Sequence, residues 1–245
     1  MRITLLNPNT SRAMTAKIAA AAREVAGPDV EITAVCPDAG PAAIESHLDE
    51  VHAATAVVEL IQRDLAAGGS DGYVVACFGD PGLDAARELV DVPVVGIAEA
   101  AMHVASLTGR TFAVVTTLER TLGRAQDLLD RYGMARACVS MTGTGIPVLE
   151  LEDADPASVA AIATACERAV RDDRAQAIVL GCAGMADLCA QLALRTGVPV
   201  VDGVAAAVGL VSAMSRMGVG TSKHGEYAPP PRLPAAHPPA RVLTF

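Results

Sequence analysis

The chain of 245 residues contains no tryptophan and only three phenylalanines and three tyrosines. So few aromatic faces cannot build a stacking platform for nucleic acid. Basic residues are short as well: 19 Lys and Arg stand against 28 Asp and Glu, a net charge of −9, and no basic stripe is visible. Nucleic acid is therefore not expected as a partner. Lysine is scarcer still, with Lys17 on the first predicted helix and Lys223 at the start of the tail. Neither follows a strand, so the Schiff-base lysine that pyridoxal phosphate needs is missing. The six cysteines include no Cys-x-x-Cys pair and lack the dense spacing of a secreted disulfide scaffold, which suits a reducing compartment. The histidines, His47, His52, His103, His224 and His237, contain no pair at the spacing of a zinc helix. Gly143-Thr144-Gly145 lacks the third glycine and the following helix of a dinucleotide fingerprint. Neither metal nor cofactor is expected. No apolar run approaches the length of about 20 residues that spans a membrane, and no signal-like segment opens at Met1. The expectation is a soluble, cytoplasmic protein without a membrane partner.

What is present is a duplication. Gly72-Tyr73-Val74-Val75-Ala76-Cys77-Phe78-Gly79 is echoed by Ala177-Ile178-Val179-Leu180-Gly181-Cys182-Ala183-Gly184. Downstream, Pro93-Val94-Val95-Gly96 returns as Pro199-Val200-Val201-Asp202, and the opening Ile3-Thr4-Leu5-Leu6-Asn7 has a counterpart in Phe112-Ala113-Val114-Val115-Thr116. The offsets of 105 to 109 residues are far too long for a solenoid repeat. Two similar α/β halves are implied, with the cysteines facing each other across the cleft between them.

Strand-like and helix-like segments alternate along the chain, so parallel sheets covered by helices are expected. The first helix shows Met14, Ile18, Ala21, Ala22 and Val25 on one face, and the next shows Leu48, Val51, Thr55, Val58, Ile61 and Leu65 at helical spacing. Asp80 and Pro81 read as the N-cap and first residue of a helix, and Glu99 reads as another cap. Helices are also predicted over 118–132, 156–172 and, following Cys182, about 185–195, with a last one ending near Gly218. The division is a first lobe over 1–97, a second over 98–218 whose last helix is free to pack back on the first, and a segment over 219–245 whose many prolines point to an extended or disordered end.

A free cysteine is more often a small buried hydrophobe than a catalyst. That reading fits Cys36, Cys138, Cys166 and Cys189. Cys77 and Cys182 differ, because each follows a strand and precedes a predicted helix N-terminus, where backbone N–H groups and the helix dipole lower a thiol pKa. In parallel sheets, ligands gather at these carboxyl ends of strands. Two matched thiols suit cofactor-independent racemisation: one thiolate removes a proton α to a carbonyl, and the opposite thiol returns one to the other face. Backbone amides of Phe78-Gly79 and Ala183-Gly184 are placed to stabilise the enolate. The apolar ring of Phe78 beside the carboxylate of Asp80 suits a neutral cyclic imide better than a free amino acid, whose two charges would find no evident partner in the cleft. Hydroxyls of Thr10, Ser11, Thr116 and Thr117 are candidates to match the ring's polar groups.

Six segments carry a family resemblance over residues 1 to 227. They are Asn7-Pro8-Asn9-Thr10-Ser11; Gly40-Pro41 with Ile44-Glu45; Cys77-Phe78-Gly79-Asp80-Pro81-Gly82-Leu83; Pro93-Val94-Val95-Gly96-Ile97; Gly181-Cys182-Ala183-Gly184-Met185; and Thr221-Ser222-Lys223 with Gly225 and Tyr227. Together they resemble the hydantoin/allantoin racemases of the aspartate/glutamate racemase superfamily. The resemblance implies two pseudosymmetric α/β lobes, each a mostly parallel sheet flanked by helices, with the active site in the cleft between them. It also implies catalysis by Cys77 and Cys182 without metal or cofactor, a small cyclic ureide or hydantoin as substrate, and commonly a homo-oligomer. The implied pocket is lined by Asn9, Thr10 and Ser11, by the turn from Pro41 to Ile44, and by Thr116 and Thr117. Aspartate and glutamate racemases follow their first cysteine with Asn-Thr, whereas Phe78-Gly79-Asp80 follows here. An amino-acid racemase of the same superfamily and a non-catalytic small-molecule binding protein are the competing readings.

Overall fold

The computed structural model describes residues 1–231. The chain runs β1 (Arg2–Leu6), α1 (Arg12–Val25), β2 (Glu31–Val35), α2 (His47–Ala66), β3 (Gly72–Val75), α3 (Leu83–Leu89), β4 (Val94–Gly96) and α4 (Ile97–Thr108). It continues with β5 (Phe112–Thr116), α5 (Leu122–Arg131), β6 (Cys138–Gly143), α6 (Pro156–Arg171), β7 (Ile178–Leu180), α7 (Cys189–Thr196), β8 (Val200–Val201) and α8 (Gly203–Arg216). Two four-stranded sheets form, in the orders β2-β1-β3-β4 and β6-β5-β7-β8, and every pairing is parallel. The order is the same in both, as duplication requires. Strands β3, β5 and β7 are buried along their whole length, which is why they read as unbroken apolar runs rather than alternating ones.

Short polar side chains start four of the eight described helices, α1, α2, α6 and α8. Ser11 accepts from the Met14 amide at 3.0 Å, Ser46 from Asp49 at 3.2 Å, Asp155 from Ser158 at 2.8 Å, and Asp202 from Ala205 at 2.8 Å. The last helix of each half reaches across the molecule. Helix α4 follows β4 yet lies against β7 and β8, while α8 follows β8 and lies against β3, β4 and α1. The two helices pack on each other, so the main apolar core draws Ile3, Val74 and Val95 together with Val114, Val179 and Val208.

Four local expectations are corrected. Helix α2 buries Ala53, Ala56, Val57, Leu60 and Ile61, and turns Leu48 and Val51 to solvent at 67% and 65% exposure. Of the anticipated stripe Ile61 is fully buried, but the buried face turns from it toward Ala53, Val57 and Leu60, with Val57, Leu60 and Ile61 packed against Leu6, Tyr73 and Val75 of the first sheet. Asp80 does not cap its own helix. Its backbone takes a left-handed φ of 45°, α3 begins only at Leu83, and the Asp80 carboxylate instead accepts from the α4 amides of Ala98 at 3.1 Å and Glu99 at 2.9 Å. With that position filled, the Glu99 side chain pairs with Arg87 at 2.6 Å rather than capping. After Cys182 comes a 3₁₀ turn over Ala183–Leu188, and α7 starts at Cys189. Among the described residues no helix is long and apolar enough to cross a membrane. Pro229, Pro230 and Pro231 lie beyond the last helical turn, outside any regular element; Pro234, His237, Pro238 and Pro239 lie outside the described residues.

Candidate active site

The residue before each of the two cysteines makes the last sheet hydrogen bond of its strand. The Ala76 amide donates to Leu6 O at 2.9 Å, and the Gly181 amide donates to Val115 O at 2.8 Å. Each thiol therefore projects one residue past the ladder, at the carboxyl end of a central strand. Two residues further on, the Gly184 amide donates to Cys182 Sγ at 3.4 Å, and the Gly79 amide bears on the Cys77 thiol in the same way. Both thiols line one cavity of about 70 Å³.

Asn9, Ile44, Phe78, Gly79, Thr116, Thr117 and Ala183 join the cysteines on its wall. Thr10, Ser11, Asp80 and Gly184 do not. Thr10 ties its turn to Pro41 through a backbone bond of 3.0 Å, and Ser11 is spent on capping α1 and on the Glu152 carboxylate. Asp80 sits behind Cys77 among α4 and the Tyr132 hydroxyl, which donates to it at 2.8 Å. Gly184 acts behind Cys182, packed so closely that an added Cβ would meet Met14 at 3.0 Å. Thr116 lines the cavity but its hydroxyl donates to Gly181 O at 2.9 Å, so it braces the second cysteine strand instead of offering a proton to a ligand.

Free donors remain. The Asn9 Oδ1 accepts from Asn7 Nδ2 at 2.8 Å and from the Ser11 amide at 2.9 Å, which fixes the side chain and leaves its own Nδ2 without a protein partner among the described residues. The Thr117 hydroxyl is likewise unclaimed among them, since only its carbonyl is used, by Gly145 and Thr144.

Glu50 and Arg124 are cavity residues that the sequence reading missed. Arg124 Nε lies 3.0 Å from Glu50 Oε2, and Arg124 Nη2 donates to Gly79 O at 2.8 Å. The signal was available. Glu50 continues the Ala53, Val57, Ile61 stripe, so a carboxylate stands on the buried face of an amphipathic helix.

The thiols also depart from expectation. Burial pushes Cys77 up to about 12 and Cys182 up to about 11. The Gly79 amide offsets the first only in part, against the nearby charges of Glu50 and Asp80. The Gly184 amide and Lys17 do the same for Cys182. No α-helix begins directly after either cysteine, so one amide each replaces the anticipated dipole, and desolvation prevails. Burial likewise raises the Asp80 carboxyl to about 6, against the bonds from Glu99, Tyr132 and Ala98 that favour its anion.

This arrangement, a repeated pair of parallel sheets with both thiols on one cavity, has the fold of solved racemases. A glutamate racemase from Francisella tularensis subsp. tularensis SCHU S4 shares the fold at a TM-score of 0.64 and 16% identity, over 93% of this chain and 85% of its own. The family itself is defined by the sequence match: residues 3–211 fit the model described as Asp/Glu/Hydantoin racemase, and the chain belongs to that family. It is 44% identical to a hydantoin racemase from Pseudomonas sp. (strain NS671), over 94% of this chain and 92% of that one. It is also 49% identical to the solved allantoin racemase from Klebsiella pneumoniae, with a TM-score of 0.93 over 97% and 96% of the two chains.

Proposed function

We propose that this protein is a cofactor-independent racemase of 5-monosubstituted hydantoins, allantoin included. One observation carries the reading: Cys77 and Cys182 occupy equivalent strand ends in the two halves and line the same cavity. With the ring between them, the thiolate of one removes the C5 proton. Charge then moves onto the adjacent ring carbonyl, where the Asn9 amide and the Thr117 hydroxyl are available donors. The opposite thiol delivers its proton to the other face of C5, which inverts the centre, and the cysteines exchange roles for the reverse reaction. A cavity needs about 10–15 Å³ for each water it holds, so 70 Å³ suits a handful of waters or one small ring. Glu50 and Arg124 neutralise each other, so neither is a free counter-ion for an α-carboxylate or an ammonium. That favours the neutral ring over a free amino acid.

The test is loss of optical rotation from single enantiomers of allantoin and of alkyl and aryl hydantoins, beside D-aspartate and D-glutamate. Cys77→Ser and Cys182→Ser are each expected to lower racemisation at least about a thousandfold, the scale on which loss of a positioned acid or base acts. One variant retains deuterium exchange at C5 of a single enantiomer, because a base survives without its acid partner. Racemisation at wild-type rate by either variant would end the two-thiol mechanism. Faster turnover of either amino acid than of every hydantoin would favour the amino-acid branch.

A further inference from the structure

The cavity does not end at the thiols. Ile44, Glu50, Thr121 and Arg124 form one of its walls and also the inner wall of an adjoining pocket of about 270 Å³, whose far side carries Glu45, His47 and Arg120. If the ring fills the smaller chamber, the substituent on its stereogenic carbon has its room in the larger one. Glu50 and Arg124 line both spaces, so a substituent that points from the thiols toward the larger one meets this pair. Glu50 comes from α2 in the first half and Arg124 from α5 in the second, so the pair bridges the cleft.

This pair is incompletely satisfied. Arg124 Nε faces Glu50 Oε2 at 3.0 Å but is not aligned for a hydrogen bond, and it is a buried donor without a hydrogen-bond partner among the described residues. Glu50 accepts no hydrogen bond from any other side chain among them, and burial raises its pKa despite Arg124 and His47. An alkyl or aryl group against the pair would strip water from both charges and return nothing. A ureido or carboxamide group differs, because its N–H groups suit the carboxylate and its carbonyl oxygen suits the guanidinium.

We infer that Glu50 and Arg124 are specificity residues that read the 5-substituent, selecting groups with paired N–H donors and a carbonyl over apolar ones. The inference rests on the racemase reading of the cavity. The closing experiment uses the full chain at neutral pH, with kcat/KM from loss of rotation of allantoin, 5-isobutylhydantoin and 5-benzylhydantoin. Wild type is expected to prefer allantoin by at least about thirtyfold. In Glu50→Gln and Arg124→Met the ratio of allantoin to 5-benzylhydantoin is expected to fall at least about tenfold, chiefly through KM for allantoin, with Arg124→Lys restoring part of it. A merely structural pair would lower all three substrates together and leave the ratio in place. That outcome overturns the inference, as does a wild-type preference for the aryl compound. Loss of rotation from none of the three would instead fail the racemase reading itself, and the inference with it.

Discussion

At the scale of single residues, the two cysteines were legible because the duplication marks them twice, whereas their acidity was not. Sequence gives the strand end, but it does not say how much water the opposite lobe excludes, and that exclusion decides the pKa. A thiol pushed far above neutrality is almost wholly protonated at pH 7, and below its pKa its thiolate fraction grows tenfold with each pH unit. The base in the proposed reaction is the thiolate. Activity must therefore climb as protons are removed, and kcat/KM for allantoin is expected to rise with a slope near one from about pH 6 through about pH 8.5, a window that lies wholly below the raised thiol values. A rate profile under pseudo-first-order conditions, corrected for uncatalysed racemisation, checks this. A plateau with an apparent pKa near 7 would mean that the base in the free enzyme rests far below the value its burial implies, which overturns this expectation.

Helix α2 is the clearest case at the scale of elements. Its type and extent follow from the sequence, but a helix rich in alanine offers two overlapping faces, and the expected one shares Ile61 with the buried face while its Leu48 and Val51 lie outside it. Val57, Leu60 and Ile61 pack with Leu6, Tyr73 and Val75 of the first sheet, Ala53 and Ala56 are buried beside them, and Leu48 and Val51 face solvent. The same error hid Glu50, which becomes conspicuous only once the buried stripe is known. The correction is measurable by urea denaturation. Leu60→Ala and Ile61→Ala are expected to cost about 2–5 kcal/mol each, as large-to-small changes in a core do. Val51→Ala is expected to stay within about 0.5 kcal/mol, the range of ordinary surface substitutions. Equal losses at positions 51 and 61 would contradict the assigned face. Asp80 gives a second element-scale lesson: a residue that reads as a local cap serves a helix that starts 17 residues later, and no local pattern carries that information. Asp80→Ala removes both carboxylate bonds to the α4 amides, and its expected cost is about 1–2 kcal/mol by the same denaturation.

For the whole molecule, the repeated order of strands was readable from the repeated motifs, while the exchange of terminal helices was readable only as a suggestion that the last helix returns to the first lobe. Its consequence is energetic. Helix α8 buries Val204, Val208 and Val211 in a core shared with Ile3, Val74, Val114 and Val179, and an added Cβ at Gly203 would meet the Ile97 carbonyl at 2.7 Å where the two crossing helices touch. Neither sheet keeps its cover if the other half opens. We therefore expect one cooperative unfolding step rather than two, despite the two-lobed sequence. Hydrogen exchange read by peptide mass spectrometry is the direct measurement. The slowest amides of β1 and β3 and those of β5 and β7 are expected to exchange through the same opening, with the same dependence on denaturant. Val208→Ala removes two buried methyl groups and is expected to lower that opening energy by about 2 kcal/mol in both sheets at once. A loss confined to β1 and β3 would mean that the lobes unfold separately, with α8 belonging energetically to the first alone.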